Sequence, residues 1–351
     1  MIIKCNFAGR SGYECRLIRY EFANFLKVDS LVHQQLPIRP LLVILGPTAS
    51  GKTHLATRVA ACLNGEVISV DSRQVYRGMD IGTGKDLDEY HVDQKDVPYH
   101  LIDVVDAGEK YNLSRFQKDF HAVCDQMAVR GSVPVVCGGS GLYLNAVLRG
   151  YGFTEIPTDN SLRERLESYG TEDLLTEFLS LDTAYSSLAD TSTRKRLIRA
   201  IEISRYLLDH PELSENDFSM SPRYPFICFG LNPPVEVRRE RISVRLRQRL
   251  AGGLIEEVKG LMDKGLSEEQ LIYYGLEYKY ITAYLTGALT RSDMEQRLET
   301  EIHRFAKRQM TFFRKMEKDG VTINWLDDAW AKEEIVAYIT KAYLAFEGQH
   351  N

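Results

Sequence analysis

The chain has 351 residues, 44% hydrophobic and 26% charged, with a formal net charge of −5. That length holds one large domain or two modest ones, and the balance is that of an ordinary globular protein, which excludes a disordered chain. No window approaches the roughly 20 apolar residues a membrane-spanning helix needs, so that class is excluded too.

Residues 1–40 mix Arg10, Arg16 and Arg19 with Glu14 and Glu21 and lack the uninterrupted apolar run of a secretory signal. Transit peptides are poor in acid, so this stretch reads as an N-terminal extension, an appendage or the product of an early start codon. Cys5, Cys15, Cys62, Cys124, Cys137 and Cys228 form no C-x-x-C pair and have no histidine at finger spacing. They read as reduced thiols of a cytoplasmic protein. A chain of this net charge contacts a polyanion only through local concentrations of Lys and Arg.

Leu41-Leu42-Val43-Ile44-Leu45 is a continuous apolar run closed by Gly46-Pro47, the pattern of a buried parallel strand. Ser50 to Leu63 has helical spacing and stops at Asn64-Gly65, a C-terminal cap signal. Glu66 to Val70, His100 to Val105 and Val133 to Cys137 are the next predicted strands. Strands alternating with helices predict an α/β fold, a doubly wound parallel sheet with helices on both faces. Residues 151–221 carry amphipathic helices and no strand-like run, and so read as an inserted all-helical domain. Phe226 to Leu231 restores a strand, followed by a strongly basic helix. Met294 to Lys318 reads as a long helix and Val321 to Trp325 as a last strand. The expected organisation is an extension over 1–40, a core over 41–150 and 222–330, an insertion over 151–221, and a C-terminal helix or tail over 331–351.

Gly46-Pro47-Thr48-Ala49-Ser50-Gly51-Lys52-Thr53 matches G-x-x-x-x-G-K-[ST] between a predicted strand and a predicted helix, the context of a P-loop NTPase-like core. Backbone N–H groups of such a loop form an anion cradle, to which Lys52 adds charge and Thr53 a hydroxyl able to hold Mg²⁺. The loop specifies a pyrophosphate or triphosphate and leaves the reaction open. The strand at Val133 to Cys137 ends in Gly138-Gly139-Ser140, without the carboxylate that orders Mg²⁺ in kinases and NTP hydrolases. Asp71 directly follows a strand, at the carboxyl edge where such sheets bind ligands. From position alone it fits a helix N-cap and a general base equally.

DSRQVYRGMDIGTGK over 71–85, taken with the P-loop, resembles the tRNA dimethylallyltransferases, also called tRNA isopentenyltransferases. YHLIDV over 99–104, GGSGLY over 138–143, RLIRAIE over 196–202 and AKRQMTFFR over 306–314 follow in the same order. The resemblance implies transfer of a dimethylallyl group from dimethylallyl diphosphate to N6 of adenosine 37 in tRNA, with release of diphosphate. It implies that Gly46, Thr48, Ala49, Ser50, Gly51, Lys52 and Thr53 hold the diphosphate, Thr53 together with Mg²⁺, and that Asp71, Arg245 and Thr48 are catalytic. The implied tRNA contacts are Asp71, Ser72, Arg73, Gln74, Ser140, Arg163, Lys195, Arg196, Leu197, Ile198, Arg199, Lys307, Arg308, Gln309 and Arg314. Ser140 stands where the family has Thr. The family's Gly-Tyr-Lys/Arg motif reads Gly275-Leu276-Glu277-Tyr278-Lys279, which displaces its basic contact by two residues or loses it. Thr311-Phe312-Phe313-Arg314 lacks the family's indole, and the zinc-finger tail of many eukaryotic members is missing. The implied partners are the anticodon stem-loop of tRNA and the prenyl diphosphate, with no membrane and a monomeric chain.

Read without the resemblance, Arg238, Arg241, Arg245 and Arg249 recur as one helical stripe beside Ile242, Leu246 and Leu250. Arg304, Lys307, Arg308, Thr311 and Lys315 form another, backed by Leu298, Ile302, Phe305, Phe312 and Met316, and Arg194 to Arg199 with Arg205 form a third cluster. Basic surfaces on an acidic chain suit a large polyanion. Tyr76, Tyr143, Phe312 and Phe313 are candidates to stack on an unpaired base. An adenylate prenyltransferase acting on free AMP or ATP shares the P-loop and Asp71 but has little use for the insertion. A small-molecule kinase and a nucleotide-gated RNA-binding module are the remaining classes.

Overall fold

A computed structural model describes residues 38–150, 152–154, 156–213 and 222–350. The extension expected over 1–40 therefore lies, except for its last residues, outside the described residues. Strands β1 (Leu41–Leu45), β2 (Gly65–Val70), β3 (Tyr99–His100), β4 (Val133–Gly138), β5 (Phe226–Leu231) and β6 (Asn324–Leu326) form one sheet in the order β6-β5-β1-β4-β2-β3. Every pairing in it is parallel, with Leu45 level with Gly138 on one side and Gly230 on the other. The helices are α1 (Lys52–Leu63), α2 (Leu113–Arg130), α3 (Gly141–Arg149), α4 (Asn160–Glu167), α5 (Thr171–Ser180) and α6 (Arg194–Asp209). After β5 come α7 (Val235–Ala251), α8 (Leu254–Asp263), α9 (Glu268–Tyr274), α10 (Leu276–Leu285), α11 (Arg291–Lys318) and α12 (Lys332–Glu347).

Residues two apart on a strand share a face, so a sheet covered on both sides needs apolar residues at every position. Leu42, Ile44, Val67, Val135 and Phe229 pack under α1 and α12. Their neighbours Leu41, Val43, Leu45, Ile68 and Val136, on the opposite face, are buried as completely. Helix α1 ends at Asn64 in the left-handed conformation, its N–H donating to the Ala60 carbonyl, as the Asn64-Gly65 pair predicted. Helix α12 is no loose tail. Ile335, Ile339 and Tyr343 enter the core beneath α1, and Arg39 donates to Glu347 at 2.5 and 2.9 Å.

Two strand expectations need correction. The run His100 to Val105 is not one strand: β3 stops at His100, and Leu101 (φ 61°) and Asp103 (φ 56°) take left-handed conformations. The chain turns away to secure the loop after β2, with Asp103 N–H donating to the Gln74 carbonyl and Val104 N–H to that of Val75. Val105–Asp106 then pairs with Tyr76–Arg77 outside the main sheet. The last strand is Asn324–Leu326, not Val321 to Trp325, because Val321 and Ile323 are buried in the stretch between α11 and the sheet edge. Helices α4 to α6 carry a separate apolar cluster built on Leu166, Leu174, Phe178 and Ile201. Among the described residues no helix is long and apolar enough to cross a membrane.

Candidate active site

The loop between β1 and α1 turns on Ala49 (φ 60°) and Gly51 (φ 85°), left-handed positions that aim successive backbone N–H groups to one side. Lys52 lies back along the loop, Nζ 3.5 Å from the Pro47 carbonyl. Burial lowers its ammonium below the usual lysine value, opposed by Cys137 beneath it and by the charges of Asp71 and Asp86, while Arg245 adds to the lowering. Asp71 and Arg245 therefore both act on Lys52, from different elements. An anion beside Lys52 opposes the lowering, because it favours the charged form. Burial pushes the Cys137 thiol up to about 11 against Lys52 and a hydrogen bond with Thr53.

A cavity of about 1150 Å³ opens in front of this loop, lined by Lys52, Thr53, Asp86, Glu89, Arg245 and Arg249 among others. Arg245 and Arg249 are one turn apart on α7, and both reach Asp86, Arg249 Nη2 at 3.6 Å. A side chain at Gly84 (φ 65°) would displace them: its Cβ would stand 1.7 Å from Arg249 Nη2 and 2.8 Å from Arg245 Nη2. Arg249 Nη2 is buried and, beyond this ion pair with Asp86, makes no hydrogen bond among the described residues.

Asp71 is half-buried and closes an Asx turn, accepting from the Arg73 N–H at 2.9 Å. No helix starts here, since residues 72–75 form a turn, so the N-cap reading does not hold, and one bond leaves most of a carboxylate's acceptor capacity unspent. Ser72 N–H donates to Ser140 Oγ at 3.4 Å, which joins the turns that follow β2 and β4. Tyr143, pushed up to about 12 by burial, feels Tyr273, Arg73 and Asp71, and the Arg73 guanidinium lies 4.9 Å from the Tyr273 ring centre.

The IPP transferase family model matches residues 74–316. The chain is 47% identical over 311 residues to tRNA dimethylallyltransferase 2 of Bacteroides fragilis, covering 89% of this chain and all of that one. It is 50% identical over 287 residues to tRNA dimethylallyltransferase 1 of Azobacteroides pseudotrichonymphae, covering 82% and 92%. The crystal structure of the tRNA isopentenylpyrophosphate transferase of Bacillus halodurans superposes with a TM-score of 0.65 at 33% identity, covering 89% and 97%. The chain belongs to the IPP transferase family.

Within this IPP transferase the sequence-predicted RNA contacts divide. Lys195, Arg196, Lys307, Arg308 and Arg314 are exposed. Leu197 and Ile198, 2% and 7% exposed, are core residues of the helical region, so their side chains are spent on that core. Arg199 spends its guanidinium on the carbonyls of Phe153, Ile156 and Pro157, and Arg163 pairs with the buried Glu202 at 2.7 Å. Gln74 is turned inward, accepting from Ser69 Oγ at 2.8 Å and donating to the Gly84 carbonyl at 3.0 Å. Gln309 is likewise buried, held by Thr48 and Gly139. Tyr76 and Phe313 are fully buried and cannot stack on a base, whereas Phe305, expected in the core, is 40% exposed beneath Arg308. Arg238 leaves its expected stripe, 8% exposed and with its guanidinium lowered by burial and by the charges of Arg239 and Arg314.

The altered motif places its basic side chain at the surface. Lys279 is exposed with its ammonium 5.3 Å from the Tyr280 ring centre, and Tyr278 is buried. Glu277 feels the charges around the cradle: burial raises its carboxyl, while Arg249 and Arg245 lower it and Asp71 raises it. Reading the residues singly also missed Lys85 and Glu257. Lys85, 1% exposed, donates to the Tyr76 carbonyl at 2.8 Å and pairs with Asp80 and Asp103. Glu257 accepts from the N–H groups of Asp80, Ile81 and Gly82 at 2.7 to 3.0 Å. Both fasten the loop that carries Asp71, and the Asp80/Lys85 spacing was the only local signal.

Proposed function

We propose that this IPP transferase moves a dimethylallyl group from dimethylallyl diphosphate to N6 of adenosine 37 in the anticodon loop of tRNA, in the cytoplasm. What supports the reading is a cavity lined by Lys52 and Thr53 of the P-loop together with Arg245 and Arg249, with the Asp71 carboxylate near enough for its charge to act on Lys52. The P-loop amides, Lys52, Arg245 and Arg249 hold the diphosphate, so that negative charge developing on the leaving oxygen meets preorganised donors and cations. N6 attacks the allylic carbon as the C–O bond breaks, the electron pair leaves with the diphosphate, and the N6 proton passes to Asp71.

Among the described residues no cluster of three or more His, Cys, Asp or Glu side chains could hold a metal by itself. A P-loop hydroxyl is a suitable hard donor, so Thr53 would hold Mg²⁺ jointly with the diphosphate, where the ion neutralises leaving-group charge. The exposed cations of α6 and α11 favour tRNA over free AMP as acceptor, since a mononucleotide has no use for them. Incubation with dimethylallyl diphosphate, Mg²⁺ and equal amounts of unmodified tRNA and AMP, read by mass spectrometry, tests this. Prenyl adenosine appears in the tRNA; product only on AMP, or phosphate transfer from ATP, overturns the reading.

A further inference from the structure

Helix α11 presents Lys307, Arg308 and Arg314 to solvent, and between them Gln309 points the opposite way, 8% exposed. Gln309 Oε1 accepts from the Thr48 N–H at 2.8 Å, and its Nε2 donates to the Gly139 carbonyl at 2.9 Å. The helix rests directly on the turn after β4. A Cβ at Gly139 would stand 2.5 Å from Gln309 Nε2, and one at Gly141 would stand 2.3 Å from Phe312 Cδ1. Between those glycines Ser140 accepts from Ser72, the neighbour of Asp71. One amide side chain therefore joins the diphosphate loop, the turn beside Asp71 and the helix with the exposed cations.

The Thr48 N–H belongs to a loop whose N–H groups bind anions. Here Gln309 Oε1 accepts it, one residue before Ala49, which lines the cavity, so the seat of α11 sets where that edge of the loop stands. A hydrogen bond weakens steeply with small changes of angle and distance, so a slight shift of the helix is enough. We propose that Gln309 is a positioning residue that couples RNA docking on α11 to the diphosphate cradle through the Thr48 N–H.

The RNA half of this inference rests on the proposed function; the pyrophosphate half does not. The test is calorimetric titration of the full chain with inorganic pyrophosphate and Mg²⁺, with and without a saturating unmodified anticodon stem-loop. In the parent, RNA shifts pyrophosphate affinity by about fivefold or more, and pyrophosphate shifts RNA affinity by the same factor. Gln309→Met keeps the length and loses both hydrogen bonds; its coupling falls to within about twofold of none, while RNA affinity alone stays within about twofold of the parent, because Lys307, Arg308 and Arg314 remain. Parent coupling surviving in Gln309→Met overturns the proposal. So does loss of RNA affinity with unchanged pyrophosphate binding, which makes Gln309 a direct RNA contact. Hydrogen exchange on the parent gives a reading independent of the variant's folding: the peptide containing Thr48 changes protection when stem-loop is added, and no change overturns the proposal. A chain that couples both ligands yet makes no prenyl adenosine refutes the proposed function and leaves the coupling standing.

Discussion

Arg245 is ion-paired with Asp86 across the mouth of the phosphate cradle, and Asp86 also draws Arg249 toward Gly84. A diphosphate that uses these guanidiniums must share them with that carboxylate. Partly exposed pairs of this kind are worth up to about 1 kcal/mol, which corresponds to roughly fivefold in affinity. Asp86→Asn is therefore expected to tighten inorganic pyrophosphate by about three- to fivefold, and Arg245→Ala to weaken it by tenfold or more, since a charge-assisted contact is lost. Calorimetry decides both, and weaker binding in Asp86→Asn would mean that the carboxylate serves to hold the arginines in place.

As the proposed base, Asp71 separates chemistry from donor binding. Its carboxylate is set by an Asx turn and acts on Lys52 only at a distance, so Asp71→Ala leaves the P-loop amides in place. Loss of a positioned general base costs about 10²- to 10⁴-fold in rate. Single-turnover transfer to a stem-loop is expected to fall by that factor while pyrophosphate affinity stays within about threefold. A mutant that prenylates at the parent rate removes Asp71 from the reaction.

The sheet, the P-loop and Asp71 were legible in the sequence because each is written locally: continuous apolar runs, a spaced glycine-lysine motif, an acid directly after a strand. Contacts between distant segments were not. Nothing at Gln309 announces Thr48, and nothing at Glu257 announces the amides of Asp80 to Gly82. Leu197 and Ile198 came in with a continuous stretch that the resemblance implied as RNA contacts, although a helix turns part of any such stretch into the core, where both side chains lie. Phe305 and Phe313 exchanged places for the same reason, an error of phase along α11. The run His100 to Val105 looks like a strand because its apolar content serves the loop after β2 as well as a sheet.

Lys85 is the buried cation of that loop. Its ammonium is enclosed by the Tyr76 carbonyl and the carboxylates of Asp80 and Asp103, which themselves stay 59% and 34% exposed. Lys85→Met leaves those carboxylates facing each other, but water can reach them, so the cost stays below that of a wholly buried broken pair. A loss of about 1–3 kcal/mol in urea unfolding is expected. Transfer should slow as well, since the loop carries Asp71 and Gln74; a variant as stable and as active as the parent excludes Lys85 as the anchor.

Glu66 predicts how stability depends on pH. It sits on β2 and receives Arg130 Nε at 2.9 Å and Nη2 at 2.7 Å, with His100 Nε2 2.6 Å away at the end of β3. The Arg130 hydrogen bonds outweigh burial and, with Ser132 and His100, hold its carboxyl at about 2, against an ordinary value of 4.5. The folded chain thus gives up this proton at lower pH than the unfolded chain does. The stabilisation is fully present above about pH 4.5 and is lost as pH falls towards about 2. Arg130 is partly exposed, which reduces the effect by screening to on the order of 1–3 kcal/mol. Glu66→Gln should be less stable at neutral pH and lose less stability than the parent between pH 4.5 and 2. Urea midpoints measured for both chains across that range decide it, and parallel curves would show that Glu66 does not supply the acid sensitivity.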